Sequence, residues 1–335
     1  MVPRQDLQNR KNWIDVLRAI AMILVMTGHI VENKNFFIIT SPVKIPLFFA
    51  ITGYVFNYRS GNIKDFFLNL LRTLVIPLIC FTVLLFPFKC FAAYMGWINH
   101  TMHDVLVSFA SGDEFWYLPC LIIAEIIFFF VQKITSKKSI HYILMLLLSI
   151  AGFVMAKYGI LRLFNFNTAL CAQLFLLIGY FYKCNEEHIN KLKHYGWIAA
   201  LSLYGVLLFV SYKYYPNAAI DIHNNRYYSY LINIPMIVLG NFALFSLFSK
   251  IRFPRGPITF IGRNTLVYYV MHEYCFGILT VAIRKLKWDV ANPWIILVVL
   301  LITAAVCGGI AAILRRYTPF LIGAKRKKKE VINEI

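Results

Sequence analysis

The sequence predicts an all-α integral membrane protein: a polytopic bundle of about ten transmembrane helices with both termini in the cytoplasm. Three observations predict it. Of 335 residues, 60% are hydrophobic and only 15% charged, a composition suited to lipid instead of water. The apolar residues run continuously, in stretches approaching or exceeding the roughly 17–25 residues a helix needs to cross about 30 Å of hydrocarbon. Lysine and arginine collect on alternate connecting segments, as they do where every second loop is cytoplasmic.

The first run, Trp13–Ile30, contains Asp15, Arg18 and His29, and no small-residue cleavage site follows it. It therefore reads as a permanent helix and not as a removable signal. The second, Ser41–Tyr58, opens on Ser41-Pro42. Leu71–Tyr94, Phe115–Val131 and Ile140–Ala156 follow, then a short sixth run, Thr168–Tyr182. Tyr195–Tyr212, Tyr227–Phe248, Ile258–Ile283 and Asn292–Leu314 complete the set. Helices are preferred over a barrel because the runs are continuously apolar, whereas barrel strands alternate apolar and polar residues.

With both ends inside, each inner segment carries at least three cations: Arg4, Arg10 and Lys11 in the first, Arg59, Lys64 and Arg72 in the second, and Lys250, Arg252, Arg255 and Arg263 before the ninth run. The outer segments, with Lys34 and Lys44 among their cations, are poorer in them. The net charge of +19 would suggest nucleic acid in a soluble protein; here it is orientation. Residues 1–315 form the membrane domain and 316–335 a basic cytoplasmic tail, whose Lys325 to Lys329 suit anionic headgroups. Nucleic acid is not an expected partner. The seven cysteines are odd in number and lie mostly in apolar runs, so they read as packers and not as a disulfide framework. There is no internal repeat and no long linker.

An ionisable side chain within a span is costly and marks function by default. Asp15, Arg18, His29, Glu125, His272 and Glu273 are of this kind. Arg18 and His29 stand eleven residues apart, which places them about 20° apart around one helix and about 16.5 Å apart along it. They share a face at opposite depths, bordering a polar path; alternatively, Arg18 pairs with Asp15 and His29 sits in the interface. His29 and Glu32, three residues apart, allow a carboxylate to orient an imidazole.

Ile14 to His29, with its Arg, ten residues, His spacing, resembles the opening helix of the membrane acyltransferase-3 family. Pro46-Leu47-Phe48-Phe49-Ala50-Ile51-Thr52-Gly53-Tyr54, Arg72 to Pro77, Phe115-Trp116-Tyr117-Leu118-Pro119 and Gly262 to His272 are similar to later landmarks of that family, in order. The resemblance extends from about Ile14 to Leu314, and the compact form looks closest to the fucose 4-O-acetylase-like branch. Thr52 and Thr265 stand where the family commonly has Ser, keeping a hydroxyl, and Arg72 is single where many members have an Arg pair.

The resemblance implies an enzyme of the bacterial plasma membrane: an O-acyltransferase moving an acyl group, commonly acetyl from acetyl-CoA, onto a hydroxyl of a glycan, a lipid-linked glycan or another cell-envelope acceptor. Such a reaction needs a base, stabilisation of the carbonyl charge and a cationic seat for coenzyme A phosphates. His29 is the expected base, oriented by Glu32, with His272 a second catalytic or structural group. Arg18 is expected at the pantetheine or carbonyl, and Arg59, Lys64, Arg72 and Arg263 at the phosphates. Trp116, Glu125 and Thr52 are expected on the substrate side. Acetyl-CoA acts as cosubstrate, and no permanently bound cofactor or metal is expected.

Two other readings compete. A secondary transporter or flippase would use Arg18, His29 and Glu125 as a polar path, but no inverted repeat accompanies them. His100-Thr101-Met102-His103-Asp104 offers two imidazoles on one helical turn to a metal, without an evident third ligand.

Overall fold

In lipid a backbone must satisfy its own N–H and C=O groups, and helices do so within each segment. The computed structural model describes residues 11–31, 33–56, 62–98, 100–192, 195–215, 219–286 and 292–324. Its helices are α1 (Asn12–Gly28), α2 (Lys34–Val55), α3 (Ile63–Tyr94), α4 (Met102–Ser111), α5 (Tyr117–Ile134), α6 (Lys138–Lys157), α7 (Phe166–Cys184), α8 (Glu186–Lys191), α9 (Tyr195–Tyr214), α10 (Tyr230–Phe248), α11 (Pro257–Arg263), α12 (Thr265–Lys285) and α13 (Pro293–Tyr317). Among the described residues, nine of them are long and apolar enough to cross a membrane. The 17-residue α1, which the sequence reading counted as a span, is shorter than these nine.

Three boundaries differ from the sequence reading, each for a local reason. The second span begins at Lys34, because the Asn33 side chain accepts the N–H groups of Asn35 and Phe36 and so caps a helix that runs through Pro42 and Pro46. Lys44, expected in an outer segment, consequently lies within α2. The third span begins at Ile63, capped by Asn62. Pro77 has no N–H to give the carbonyl of Thr73, and the helix widens there into a π turn over Leu71–Val75 in which the Ile76 N–H reaches the Leu71 carbonyl. The ninth run is two helices: α11 ends at Asn264, whose side chain donates to the Phe260 carbonyl at 2.7 Å, and α12 restarts at Thr265.

The short sixth run is the most enclosed span, α7. It packs extensively on α2, and glycines set their separation. A Cβ on Gly179 would sit 1.7 Å from the Ala50 carbonyl oxygen, and one on Gly53 would sit 2.0 Å from that of Leu176. Gly262 repeats the device between α11 and α1, 1.7 Å from the Asp15 carbonyl. Small residues are what let membrane helices approach this closely. Exposed Ile79, Val83 and Leu84 on α3 and Leu203 and Val206 on α9 give these helices lipid-compatible outer faces.

At one end of the bundle the start of α1 is tied down by polar contacts. The Lys11 ammonium donates to Glu186 at 2.9 Å and to the Tyr54 hydroxyl at 2.6 Å, and Asn12 donates to the Phe253 carbonyl at 2.8 Å. Asp15, almost wholly buried, accepts from the Arg263 guanidinium at 2.8 Å, while Asn12 accepts from the same guanidinium at 2.9 Å. At α13 the helix runs through Arg315 and Arg316, then a 3-10 turn at Pro319–Ile322 brings Gly323 against Thr73 and the Arg72 carbonyl. Residues 325–335 of the expected tail lie outside the described residues.

Candidate functional site

The far end of α1 carries the site. The helix stops at Gly28, and the His29 backbone N–H closes on the carbonyls of Met26 and Thr27. Gly28 lies against the Lys44 ammonium, where a Cβ would be 3.0 Å from Nζ. His272, on α12, meets His29 here. The two imidazoles are edge to face with centroids 4.9 Å apart.

His272 is 1% exposed. Its Nδ1 lies 2.9 Å from the Tyr268 carbonyl and 2.8 Å from that of Tyr269. Carbonyls only accept, so Nδ1 carries the hydrogen and Nε2 presents a lone pair. That Nε2 is buried and has no hydrogen-bond partner among the described residues. His29 is more open, and its Nε2 is 3.5 Å from a carboxylate oxygen of Glu273. The ring nitrogens and carboxylate of His29, His272 and Glu273 offer atoms all within 4.8 Å of one another, a spacing that can hold a cation. His100 and His103 belong to no such set among the described residues.

A cavity of about 230 Å³ is lined by Arg18 and Val25 of α1, Phe48 and Thr52 of α2, Tyr117, Leu121 and Glu125 of α5, and Thr265 and Tyr269 of α12. Arg18 and Val25 stand two turns apart on one face of α1, and that face points inward as the Arg-to-His spacing predicts. Arg18 and Glu125 are close enough to interact electrostatically. Thr52 spends its hydroxyl on the Phe48 carbonyl at 3.1 Å. The Tyr117 N–H donates to the Tyr269 hydroxyl at 3.2 Å, and the Tyr269 ring lies 6.4 Å from that of His272. Tyr269 thus joins the cavity to the histidine pair.

A buried imidazole with a lone pair held ready, a second imidazole with a carboxylate, and a cavity containing an arginine can together take a proton and steady a developing negative charge. A family model described as an acyltransferase domain matches residues 11–313. The chain belongs to the membrane acyltransferase-3 family. Neither the curated proteins nor the solved structures gave a match.

Within this acyltransferase the residues expected from sequence fall into three groups. His29 and His272 meet, and Arg18, Thr52 and Glu125 share the cavity. Arg263 and Arg72 lie elsewhere. Arg263 is bound to Asp15 and Asn12. Asp15 also lies 4.0 Å from Arg18, so the anticipated Arg18–Asp15 contact exists, but Arg263 is the tighter partner. Arg72 is on the π turn, donating to Asn69 at 2.8 Å, and Leu74 of that turn lines the cavity. Lys64 is exposed in the first turn of α3. Trp116 is outside the cavity, stacked on His223. Glu32 and Arg59 lie outside the described residues.

Sequence reasoning gave Glu273 no role, although it had counted it among the intramembrane acids. It also missed Lys44 and His223. The only signal for Glu273 was its position beside His272; for Lys44 it was a cation between two prolines of a helix.

Proposed function

We propose that this acyltransferase moves an acetyl group from cytoplasmic acetyl-CoA through the bundle to a hydroxyl of an extracytoplasmic or lipid-linked glycan of the bacterial cell envelope. The observation that carries the reading is the His29–His272 pair at the C-terminal end of α1, joined through Tyr269 to a cavity containing Arg18 and Glu125.

The acetyl-pantetheine end of the cosubstrate enters the cavity beside Arg18, whose guanidinium faces the thioester oxygen as negative charge develops there. The phosphates stay at the cytoplasmic side, with Lys64 and Arg72 as candidate cations. Arg263 holds α1 and α11 together and serves that seat only indirectly. The acceptor hydroxyl approaches from the outer side. Its oxygen attacks the thioester carbon while an imidazole takes its proton. The C–S bond then breaks, and the coenzyme A thiolate takes the proton back from the imidazolium. His29 is the base. Glu273, opposite its Nε2, does the orienting that the sequence reading gave to Glu32. His272, with its tautomer set by two carbonyls, packs edge to face on the His29 ring and keeps it in place for the transfer.

The test uses protein reconstituted in liposomes with acetyl-labelled acetyl-CoA and envelope glycan. The expected product is alkali-labile label on the glycan, lost in His29→Ala. Undiminished transfer by a folded His29→Ala variant would overturn the assignment.

A further inference from the structure

Three connections between helices meet near the start of α5. Gly112, at φ +80°, ends α4 and leads into Asp113. Phe164 and Asn165, at φ 51° and 58°, form the turn before α7. The third is the 219–229 connection, pinned by a backbone bridge between Asp221 and Arg226. In it Asn225, at φ 52°, donates to the Thr168 hydroxyl at 2.6 Å. Left-handed backbone at non-glycine residues costs energy and persists where the surroundings impose it. These connections are therefore built to hold a shape.

What they hold is a group the acyl-transfer chemistry leaves unused. The rings of Trp116 and His223 are stacked, 4.8 Å apart and 17° from parallel. His223 Nε2 is 3.6 Å from a carboxylate oxygen of Asp113, and Asn165 donates to the same oxygen at 3.3 Å. The His223 side chain is one third exposed and that of Asp113 about half. An aromatic stack flanked by a carboxylate and an amide matches a sugar ring, with C–H faces that lie on aromatic surface and hydroxyls that donate to carboxylate oxygens.

The platform is connected to the reacting pair. Trp116 touches Tyr117, Tyr117 touches Tyr269, Tyr269 touches His272 and His272 touches His29, each by a ring contact of 4.9–6.4 Å. Lys44 interacts electrostatically both with His29 and with Asp221, two residues from His223.

We propose that Trp116, His223, Asp113 and Asn165 form a saccharide subsite that holds a second sugar ring of the acceptor, apart from the one being acylated, so that the acceptor is an oligosaccharide or longer glycan. This rests on the acyl-transfer reading for its place in the reaction, but its binding is measurable without transfer. Tryptophan fluorescence and saturation-transfer NMR on the detergent-purified full chain, with maltotriose, chitotriose and mannotriose as probes, should show saturable binding of at least one trisaccharide. The matching monosaccharide should bind at least tenfold more weakly. His223→Ala and Asp113→Asn, each checked for an unchanged melting temperature, should weaken binding about tenfold. His29→Ala should bind the sugar and lose transfer. No binding of any trisaccharide, or binding that neither substitution changes, overturns the subsite. Binding with this dependence in a protein that transfers no acetyl would overturn the acyl-transfer reading and leave the subsite standing.

Discussion

The imidazoles of His29 and His272 meet edge to face with centroids 4.9 Å apart, although the two residues come from opposite ends of the chain. One ring is open and lies beside a carboxylate; the other is buried with its tautomer set by backbone carbonyls. Two imidazoles in such different surroundings are suited to different parts of one proton transfer. Replacing either by alanine is expected to lower kcat about 10²–10⁴-fold, the range in which a positioned acid or base contributes. The double substitution should cost little more than the worse single one, because groups acting as a unit are not additive. Transfer rates at matched protein levels check both; additive losses would separate the two residues.

Glu273 should act through His29. Its side chain is more than half exposed, so solvent screens the ion pair. Glu273→Gln is therefore expected to lower kcat by about tenfold or less, with Glu273→Asp recovering part of the loss. In the His29→Ala background Glu273→Gln should have no further effect. A full additional loss there would show that Glu273 touches substrate independently.

Arg18 is expected to govern the cosubstrate. A hydrogen bond to a charged group contributes about 1.5–3 kcal/mol, and this one forms as the oxyanion develops, so Arg18→Ala should lower kcat with acetyl-CoA about 10–100-fold, with Arg18→Lys in between. Glu125→Gln keeps the shape of the cavity wall and replaces the carboxyl group that interacts with Arg18. It should alter the acetyl-CoA KM and spare glycan binding, which is read by titrating each substrate separately.

Continuity of apolar sequence made the long helices legible, since lipid leaves a long apolar segment little choice but helix. The break at Asn264 was hidden because α11 and α12 are both apolar and no proline separates them. The start of α3 was hidden because Lys64, Asp65 and Asn69 lower its hydropathy while its backbone stays helical. In the site, the Arg18-to-His29 spacing foretold the inward face of α1, a relation within one helix. The Glu273–His29 and Trp116–His223 contacts join residues far apart in sequence. They depend on how α1 packs on α12 and how three loops meet, which no periodicity records.

Arg263 is expected to be structural. Asp15 is 1% exposed and its carboxylate depends on the Arg263 guanidinium. Removing the closer partner leaves this buried carboxylate its Arg18 contact at 4.0 Å, and the loss of a partner in a buried pair costs up to about 3–5 kcal/mol. Arg263→Ala should therefore lower the melting temperature markedly, and Asp15→Asn added to it should recover part of the loss. If the melting temperature holds and only the KM for acetyl-CoA rises, Arg263 binds phosphate as the sequence first suggested.

The crossing of α2 and α7 should tolerate no side-chain growth at Gly179. The atom an added Cβ would meet, 1.7 Å away, is the Ala50 carbonyl oxygen, part of a helix backbone that cannot rotate aside. Relief requires the two helices to separate. Phe49 and Phe175 pack between them with ring centroids 6.1 Å apart, and Phe48 and Thr52 of the displaced helix line the cavity. Gly179→Ala is thus expected to reduce accumulation of folded protein and, in what folds, to weaken acetyl-CoA use more than sugar binding. Gly205→Ala on α9, where nothing lies within 4 Å of the added carbon, should leave both unchanged and slightly favour the helix. Melting temperature and acetyl-CoA KM, measured on the two variants side by side, decide it: equal behaviour would mean that α2 and α7 do not cross through their glycines.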